Sequence, residues 1–307
     1  MKEFKVLDSY GNKLHTYMFD DVFEIKGVVQ LVHGINEHGL RYKDFASFLN
    51  ENGYIVYIHD HVSQGKSRDG NDMLLGTVYF GSKGEKVLVD GLNSVRERIK
   101  EDFPGTQIYL FGHSLGSMII RLYLIEFENE YKRIILNGGG YSNLKGIGLG
   151  LFIGNVLKLF KAKKPSNMFD NMFRQTQLRL NEKVEIDHFI EWLTRDKEYT
   201  DINKEDKYLY IRLSVSVFVD MLKAIKKINN LNNILNSHID VPIMLLSGSH
   251  DPATDFGDAT MALHELYLEA GFKSRLKIYP EGRHDTLQEL NKEEVFNDIL
   301  TFIGGTV

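Results

Sequence analysis

The segment "IYLFGHSLGSMII", residues 108–120, decides how this chain is interpreted. A run of strand-forming residues leads directly into "GHSLG" at 112–116, and apolar residues resume at once. The pattern G-x-S-x-G between a strand and a helix is typical of a sharp turn. Its glycines avoid backbone clashes, and its serine hydroxyl stands at the apex. We therefore predict that Ser114 is held up as a nucleophile, with a helix beginning at Leu115 beneath it.

Length and composition restrict the class of protein. The chain has 307 residues, of which 43% are hydrophobic, so it can bury a core in one large domain that carries an insertion. A formal net charge of −5 gives no strong positive field, and we expect no nucleic-acid partner. The absence of cysteine excludes disulfides, thiolate metal sites and a cysteine nucleophile. The polar N-terminal region is unlike a signal peptide, and no stretch approaches the roughly 20 apolar residues of a membrane span, so we expect a cytoplasmic location.

Eight short runs of β-branched and aromatic residues indicate strands: "FKVLD", "KLHTYMF", "GVVQLVHG", "YIVYIHD", "QIYLFG", "RIILNGG", "VPIMLLSG" and "RLKIYP". From the third run onward they are continuously apolar, as expected of parallel strands that are buried on both faces. Helical patterns separate the runs; Leu88, Leu92, Val95 and Ile99, for example, share one face. This alternation predicts an α/β fold with a mostly parallel central sheet flanked by helices, and ligands at the carboxyl ends of the strands.

The strand pattern is interrupted between "RIILNGG" and "VPIMLLSG". We predict a core formed by residues 1–140 and 238–307, and an inserted, largely helical cap at 141–237 over the edge of the sheet. Within the cap, residues 146–164 are apolar and then basic, and the stretch is too short to cross a bilayer. Two arrangements suit it: a helix that packs its apolar side on the core, or an amphipathic helix that lies on a lipid surface.

A nucleophilic serine needs a base, and the base needs an acid to orient it. In this architecture the acid and then the histidine follow the serine along the chain. Asp251 comes just after the strand "VPIMLLSG", and His284 comes just after "RLKIYP", so both stand where loops converge at one edge of the sheet. Asp255 and Asp258 are alternative acids that lie further into the next segment. Asp285, beside His284, is expected to face solvent.

Stabilising the negative oxygen of a tetrahedral intermediate requires backbone N–H donors. One is expected from Leu115, which follows the serine, and the second from the loop after the third strand. In that loop Gly34 permits a bend, and the N–H of Ile35 is the candidate donor. His33 and Glu37 are interpreted as residues that brace the loop.

The sequence indicates no metal or organic cofactor. His59-Asp60-His61 and the pair His33 and His38 lack the HExxH arrangement, and alternate residues of a strand point to opposite faces. We interpret these histidines as hydrogen-bonded anchors of loops. The glycine-rich stretches match neither a phosphate loop nor a dinucleotide fingerprint.

The blocks "HGINEHGLRY", "HDHVSQGKS", "FGHSLGS", "GSHD" and "EGRHDTLQE" occur in the order seen in monoacylglycerol lipases and related bacterial lysophospholipases, which are serine hydrolases of the α/β-hydrolase fold. "EWLTRD", residues 191–196, is similar to a segment of that family's cap. The chain departs from the family pattern at Ser117, where a second glycine is usual, and at Ser63-Gln64, where a glycine-histidine pair is common. The resemblance implies a mobile helical lid over an acyl-binding pocket and the following catalytic residues and oxyanion donors: Ser114, Asp251, His284, Ile35 and Leu115.

Together these features predict a serine carboxylic ester hydrolase that cleaves monoacyl lipids, either monoacylglycerols or lysophospholipids, through an acyl-enzyme on Ser114. The alternatives are a short-chain esterase, a thioesterase or an aminopeptidase of the same fold, because the cap decides the substrate. A non-catalytic binding protein is disfavoured since all three triad residues are present. The expected partners are a small acyl ester and, through the cap, a lipid surface, which would make the protein peripheral to a membrane.

Overall fold

The computed structural model describes residues 1–141, 144–181, 183–184 and 189–305. The strands are β1 (Lys2–Leu7), β2 (Lys13–Phe19), β3 (Gly27–Val32), β4 (Tyr54–His59), β5 (Thr77–Val78), β6 (Ile108–His113), β7 (Ile134–Asn137), β8 (Arg212–Leu213), β9 (Ile243–Gly248) and β10 (Ser274–Tyr279). The helices are α1 (Lys43–Glu51), α2 (Gly70–Leu75), α3 (Gly84–Asp102), α4 (Leu115–Glu126), α5 (Ile147–Lys161), α6 (Asn167–Asn181), α7 (Lys197–Glu205), α8 (Val215–Ile228), α9 (Leu231–Leu235), α10 (Asp258–Glu269) and α11 (Lys292–Gly304).

Eight strands form one sheet in the order β1-β2-β4-β3-β6-β7-β9-β10. β2 pairs antiparallel with β1 and β4, and the other neighbours are parallel. All eight strands expected from the sequence are therefore present in a mostly parallel sheet, as predicted. The strands in the middle of the sheet, β3, β4, β6, β7 and β9, are buried at every residue because helices cover both faces.

Two apolar cores lie on opposite faces of the sheet. One contains the predicted stripe of α3 together with residues from α4, α8 and α10. The other contains Phe45 and Leu49 of α1 and Val295, Ile299 and Phe302 of α11. The predicted helical stripe of α3 is thus confirmed, and the two cores account for helices on both sides of the sheet.

The chain between β7 and β9 contains α5 to α9 and the two-residue strand β8, which pairs with β5 away from the main sheet. α8 packs against α3 and α4 and buries Val217 and Phe218 in the first of the two cores. Most of α5 and α6 is exposed wherever the structure describes their side chains. The limits 141 and 237 of the cap remain a prediction. None of the described helices combines the length and the apolarity needed to cross a bilayer.

Candidate active site

Ser114 stands at the turn between β6 and α4, as predicted. Its φ of 52° and ψ of −111° are unusual for a residue with a side chain. Two glycines make this turn possible. A Cβ atom at Gly116 would lie 2.0 Å from the carbonyl oxygen of Val32, and one at Gly112 would lie 2.7 Å from the carbonyl carbon of Gly116. Because either contact is too short for a real Cβ, the spacing G-x-S-x-G is a steric requirement of this turn.

Ser117 replaces the glycine that is usual at its position in the family. Its side chain is buried, and its hydroxyl lies 2.9 Å from the carbonyl oxygen of Gly112 and 2.8 Å from that of Asn137. The hydroxyl donates to these carbonyls at the ends of β6 and β7. The departure from the family pattern therefore adds a hydrogen bond beneath the turn.

The structure brings Asp251 and His284 together. His284 Nδ1 lies 2.8 Å from Asp251 Oδ2, and both side chains are buried. A carboxylate only accepts, so Nδ1 carries the proton and Nε2 is left to accept one. Asp255 is exposed and pairs with Arg179, and Asp258 is exposed in the first turn of α10. Of the three aspartates considered from the sequence, Asp251 is thus the one that meets His284.

The loops that carry Asp251 and His284 are fastened to each other by their backbones. The N–H of His250 donates to the carbonyl of Gly282 at 2.8 Å, and the N–H of Ser249 donates to the carbonyl of Tyr279 at 2.9 Å. A Cβ atom at Gly248 would lie 1.9 Å from the carbonyl oxygen of Gly282. This close approach fixes the separation of the acid and the histidine before any substrate is present.

His284 lies in a protected, negatively charged environment. The indole of Trp192 stacks on its ring, with the centroids 4.9 Å apart. Burial alone would lower the pKa of His284, but the charge and the hydrogen bond of Asp251, followed by the charges of Asp285 and Glu37, raise that pKa above its ordinary value. The imidazole is therefore a good acceptor for a hydroxyl proton.

Two backbone N–H groups close to Ser114 in the chain or on its cavity wall are candidates to bind the oxyanion. Leu115 is the first residue of α4, so its N–H has no acceptor within the helix. Ile35 lines the same cavity as Ser114, and no acceptor in the described part of the chain receives its N–H. The N–H of Gly34, by contrast, is already bound to the carboxylate of Glu37. The geometry thus leaves the two donors expected from the sequence available.

The interpretation of His33 and Glu37 as braces of this loop is confirmed. Glu37 also accepts from the hydroxyl of Tyr42 at 2.7 Å. The Nδ1 atom of His33 donates to the carbonyl of Gly34 at 2.8 Å, and its Nε2 accepts from the N–H of His61 at 3.0 Å. Burial holds the pKa of His33 well below its ordinary value, so this histidine is neutral and serves the loop by hydrogen bonding.

The expectation that Asp285 faces solvent is wrong. Its carboxylate is only 5% exposed and lies 2.7 Å from Arg41 Nη2 and 3.0 Å from His113 Nε2. These donors compensate the burial of its charge. Ligand atoms of His113, His284 and Asp285 lie within 4.8 Å of one another, which is a spacing that a metal ion can use. Hydrogen bonds within the chain already engage all three side chains, and these contacts account for the cluster.

Two segments of the predicted cap are attached to catalytic loops. The "EWLTRD" segment holds the loop after β10: the N–H of Asp285 donates to the carbonyl of Leu193 at 2.7 Å, and Arg195 pairs with Glu289 at 2.8 Å. Residues 206–211 hold the loop after β3, where Asp206 lies 2.6 Å from His38 and the N–H of Ile211 donates to Asn36 at 2.8 Å. Trp192 and these attachments could not be read from local sequence, because nothing in it marks their distant partners.

Ser114 and His284 lie at the wall of a cavity of about 450 Å³. This volume is within the usual range for sites that bind small molecules. Asp170, Arg174 and Arg212 bring charge to the part formed by the predicted cap. The apolar part of the wall consists of Ile35, Trp192, Leu193, Leu209, Ile211, Leu213, Met221 and Ala253.

Comparison with known proteins agrees with this arrangement. A mouse (Mus musculus) monoglyceride lipase is 26% identical over 281 residues, which are 90% of this chain and 80% of the lipase. Among solved structures, one described as a lipase in its open form has a TM-score of 0.86 at 24% identity and covers 99% of this chain and 98% of its own. A thermostable carboxyl esterase from Bacillus coagulans, solved in complex with glycerol, has a TM-score of 0.84 at 22% identity, covering 99% of this chain and 98% of its own.

The model of the Hydrolase_4 family, described as serine aminopeptidase, S33, matches residues 24–291 and so spans most of the chain. This match covers most of both parts of the predicted core and all of the segment between them. The chain therefore belongs to the Hydrolase_4 family, and it is a serine hydrolase of the esterase and lipase type with an α/β-hydrolase fold.

Proposed function

We propose that this enzyme hydrolyses the ester bond of monoacyl lipids through an acyl-enzyme on Ser114. The observation that carries the proposal is that His284, hydrogen-bonded to the buried Asp251, lies with Ser114 on the wall of one largely apolar cavity. The likeness to monoglyceride lipases supports a glyceride ester. An apolar wall suits an acyl chain because burying methylene groups there is favourable.

In the proposed reaction His284 Nε2 takes the hydroxyl proton of Ser114 while the serine oxygen attacks the ester carbonyl carbon. The N–H groups of Ile35 and Leu115 stabilise the oxygen that becomes negative. His284 then gives the proton to the departing alcohol, which leaves the acyl group esterified to Ser114. A water molecule, deprotonated by His284, attacks this ester and releases the fatty acid. Asp251 keeps the imidazole in the required tautomer throughout, and these steps use no cofactor.

A second candidate substrate is a lysophospholipid, and one observation favours it. Arg212 pairs with Asp170 at 2.5 Å, but no carboxylate within the described ranges pairs with Arg174 on the same wall. A guanidinium on the wall of the cavity that Ser114 also lines offers a partner for a phosphate in the head group. Monoacylglycerol has no such group, so Arg174 distinguishes the two substrates.

We expect Arg174→Gln to lower kcat/KM for an anionic lysophosphatidylglycerol by about 3- to 5-fold, because an exposed ion pair contributes roughly 1 kcal/mol or less. Hydrolysis of a monoacylglycerol with the same acyl chain should stay within about twofold. Arg179→Gln is the matched control, since Arg179 is on the same helix but pairs with Asp255 outside the cavity wall. Equal losses on both lipids, or a loss with the control, would contradict a head-group role. Turnover of short acyl esters alone would favour the short-chain esterase instead.

We also propose that α5 rests on a lipid surface during catalysis. On its side towards the core, Gly154 packs against Val219 and Gly150 against Leu222, and Ile147, Leu151 and Leu157 are half-buried. Six other large apolar side chains form an exposed stripe on the opposite side, and the exposed Lys161, Lys163 and Lys164 follow it, whereas Lys158 pairs with Asp220. An exposed apolar stripe flanked by lysines is the composition of a helix that lies in the interface of an anionic membrane. The stripe consists of Leu149, Phe152, Ile153, Val156, Leu159 and Phe160.

Replacing Phe152, Leu159 and Phe160 together by serine is expected to weaken binding to phosphatidylglycerol vesicles by at least about tenfold, because these side chains would no longer enter the bilayer interface. Cosedimentation with vesicles measures the change, and hydrolysis of a water-soluble ester should be retained. The control is Met73→Ser with Leu74→Ser on α2, which removes side chains that are 68% and 87% exposed elsewhere. Equal weakening by both sets of changes would mean that α5 is not the contact.

A further inference from the structure

The buried carboxylate of Asp285 has no part in the proposed reaction, yet it lies beside the catalytic histidine. A carboxylate oxygen of Asp285 and a ring nitrogen of His284 are within 4.8 Å of each other. Asp285 Oδ1 is 3.0 Å from Nε2 of His113, the residue that precedes the nucleophile. Its other oxygen is 2.7 Å from Arg41 Nη2. One side chain thus touches groups from the serine turn and from the loop after β3.

The hydrogen bonds around His113 fix its protonation state. Thr286 donates its hydroxyl proton to Asn137 Oδ1 at 2.9 Å, which orients the amide so that Nδ2 donates to His113 Nδ1 at 2.9 Å. His113 Nδ1 therefore accepts, and Nε2 carries the proton that is donated to Asp285. His113 is neutral in this arrangement, so Arg41 is the cation that balances the charge of Asp285.

Arg41 extends the chain of contacts to the candidate oxyanion donor. The same guanidinium that binds Asp285 also pairs with Glu37. Glu37 in turn holds the N–H of Gly34, the residue immediately before Ile35. The side chains of Arg41 and Glu37 are only 7% and 4% exposed, so water competes little for these bonds.

We propose that Asp285 is a positioning residue. It holds the turn of Ser114 and the loop after β3, which carries Ile35, in fixed positions relative to the loop after β10, which carries His284. It also places a second fixed negative charge beside the His284 imidazole. This inference rests on the proposed function of Ser114 and His284. It assigns no contact with substrate to Asp285, which acts through His113, Arg41 and its charge.

The charges around His284 show which way each substitution should act. His284 is approached by the carboxylates of Asp251, Asp285 and Glu37 and by the neutral ring of His113. Burial would raise the pKa of Asp285, but the charge of Arg41 and the hydrogen bond from His113 hold that pKa well below its ordinary value, so Asp285 is ionised. Its charge favours the imidazolium and raises the pKa of His284. Neutralising Asp285 should lower that pKa, and removing Arg41 should raise it.

Catalysis requires neutral His284, so kcat/KM falls as the pH drops through the pKa of this group. We expect Asp285→Asn to shift the acid limb, the low-pH fall in kcat/KM, to lower pH by at least about 0.5 unit. The maximal kcat/KM at higher pH should fall roughly 10- to 100-fold, because the loops that carry the reacting groups are no longer held in position. Arg41→Gln should move the limb in the opposite direction. Proton NMR of the bridging hydrogen between His284 and Asp251 follows the same pKa without turnover. If one of the variants Asp285→Asn and Arg41→Gln does not fold, the shift of the acid limb in the other still tests the proposal.

Glu289→Gln is the control, because Glu289 is also a buried carboxylate on this loop but pairs with Arg195 away from the imidazole. It should lower stability and leave the acid limb in place. The inference is overturned if Asp285→Asn leaves the limb and the NMR titration unmoved, or lowers activity only in proportion to the unfolded fraction, as the control does. Failure of the proposed function looks different: Ser114→Ala would then remain active, or the wild-type profile would show no limb that tracks His284.

Discussion

Replacing Ser114 by alanine is expected to lower kcat/KM for a long-chain monoacylglycerol by about four to six orders of magnitude, since the triad acts as a unit. Without the hydroxyl there is no atom on which the acyl group can be held, and His284 has no proton to take. The fold should be unaffected, because the described hydrogen bonds at this position use the backbone of Ser114, whose N–H donates to Asn137. Initial rates of fatty-acid release and thermal unfolding, measured on the same preparations, test both parts.

Ser117→Ala is the matched control, because this second serine is buried on the same turn of α4 but donates only to carbonyl oxygens. We expect it to lose about 1 kcal/mol of unfolding free energy and to keep most of its activity. A fluorophosphonate probe should label the wild type and Ser117→Ala, and leave Ser114→Ala unlabelled. Retained turnover by Ser114→Ala with a normal melting curve would contradict the assignment of Ser114 as the nucleophile.

Asp251→Asn is expected to lower kcat by about 10⁴-fold, because an amide in this place allows the imidazole to adopt the wrong tautomer. The carboxylate accepts from His284 Nδ1 at 2.8 Å and leaves Nε2 free for the serine, whereas an asparagine can donate to Nδ1 and so place the proton on Nε2. Stopped assays over a long time course, with the same monoacylglycerol, measure the residual rate.

The other two aspartates in the same stretch provide internal comparisons. Asp255→Asn and Asp258→Asn should stay within about threefold of the wild type, because both side chains are exposed and neither is hydrogen-bonded to His284 in the described structure. A loss at Asp255 or Asp258 as large as that at Asp251 would show that the orienting acid has been misassigned.

The central sheet could be predicted because strands buried on both faces must be apolar throughout, which is a local property of the sequence. The order of the strands in the sheet could not be predicted, since neighbouring strands such as β3 and β6 are far apart in the chain. The predicted cap shows a related difficulty. α8 packs on α3 and α4, whereas α5 exposes most of its length, yet both are apolar helices by their patterns. Hydrophobic periodicity identifies a helix but does not identify the surface on which it packs.

The candidate site was predictable where chemistry demands a fixed local pattern, as it does around Ser114. The role of Asp285 was missed because a charged residue is expected on the surface unless its partners are known. Those partners, Arg41 and His113, precede it by 244 and 172 positions. The resemblance to monoacylglycerol lipases located the loops, and three-dimensional structure was needed to show how they touch.

Residues 191–196 and 206–211 are attached to the core, and this separates the predicted cap into parts that are poor and good targets for changing substrate selectivity. These two segments hold the loops of His284 and Ile35 through specific hydrogen bonds and ion pairs. Mutations there would disturb the reacting groups along with the pocket. Asp170 and Arg174 of α6 line the cavity, and neither is hydrogen-bonded to these loops in the described structure, so a combinatorial library directed to these two positions should yield altered selectivity with the least damage to rate.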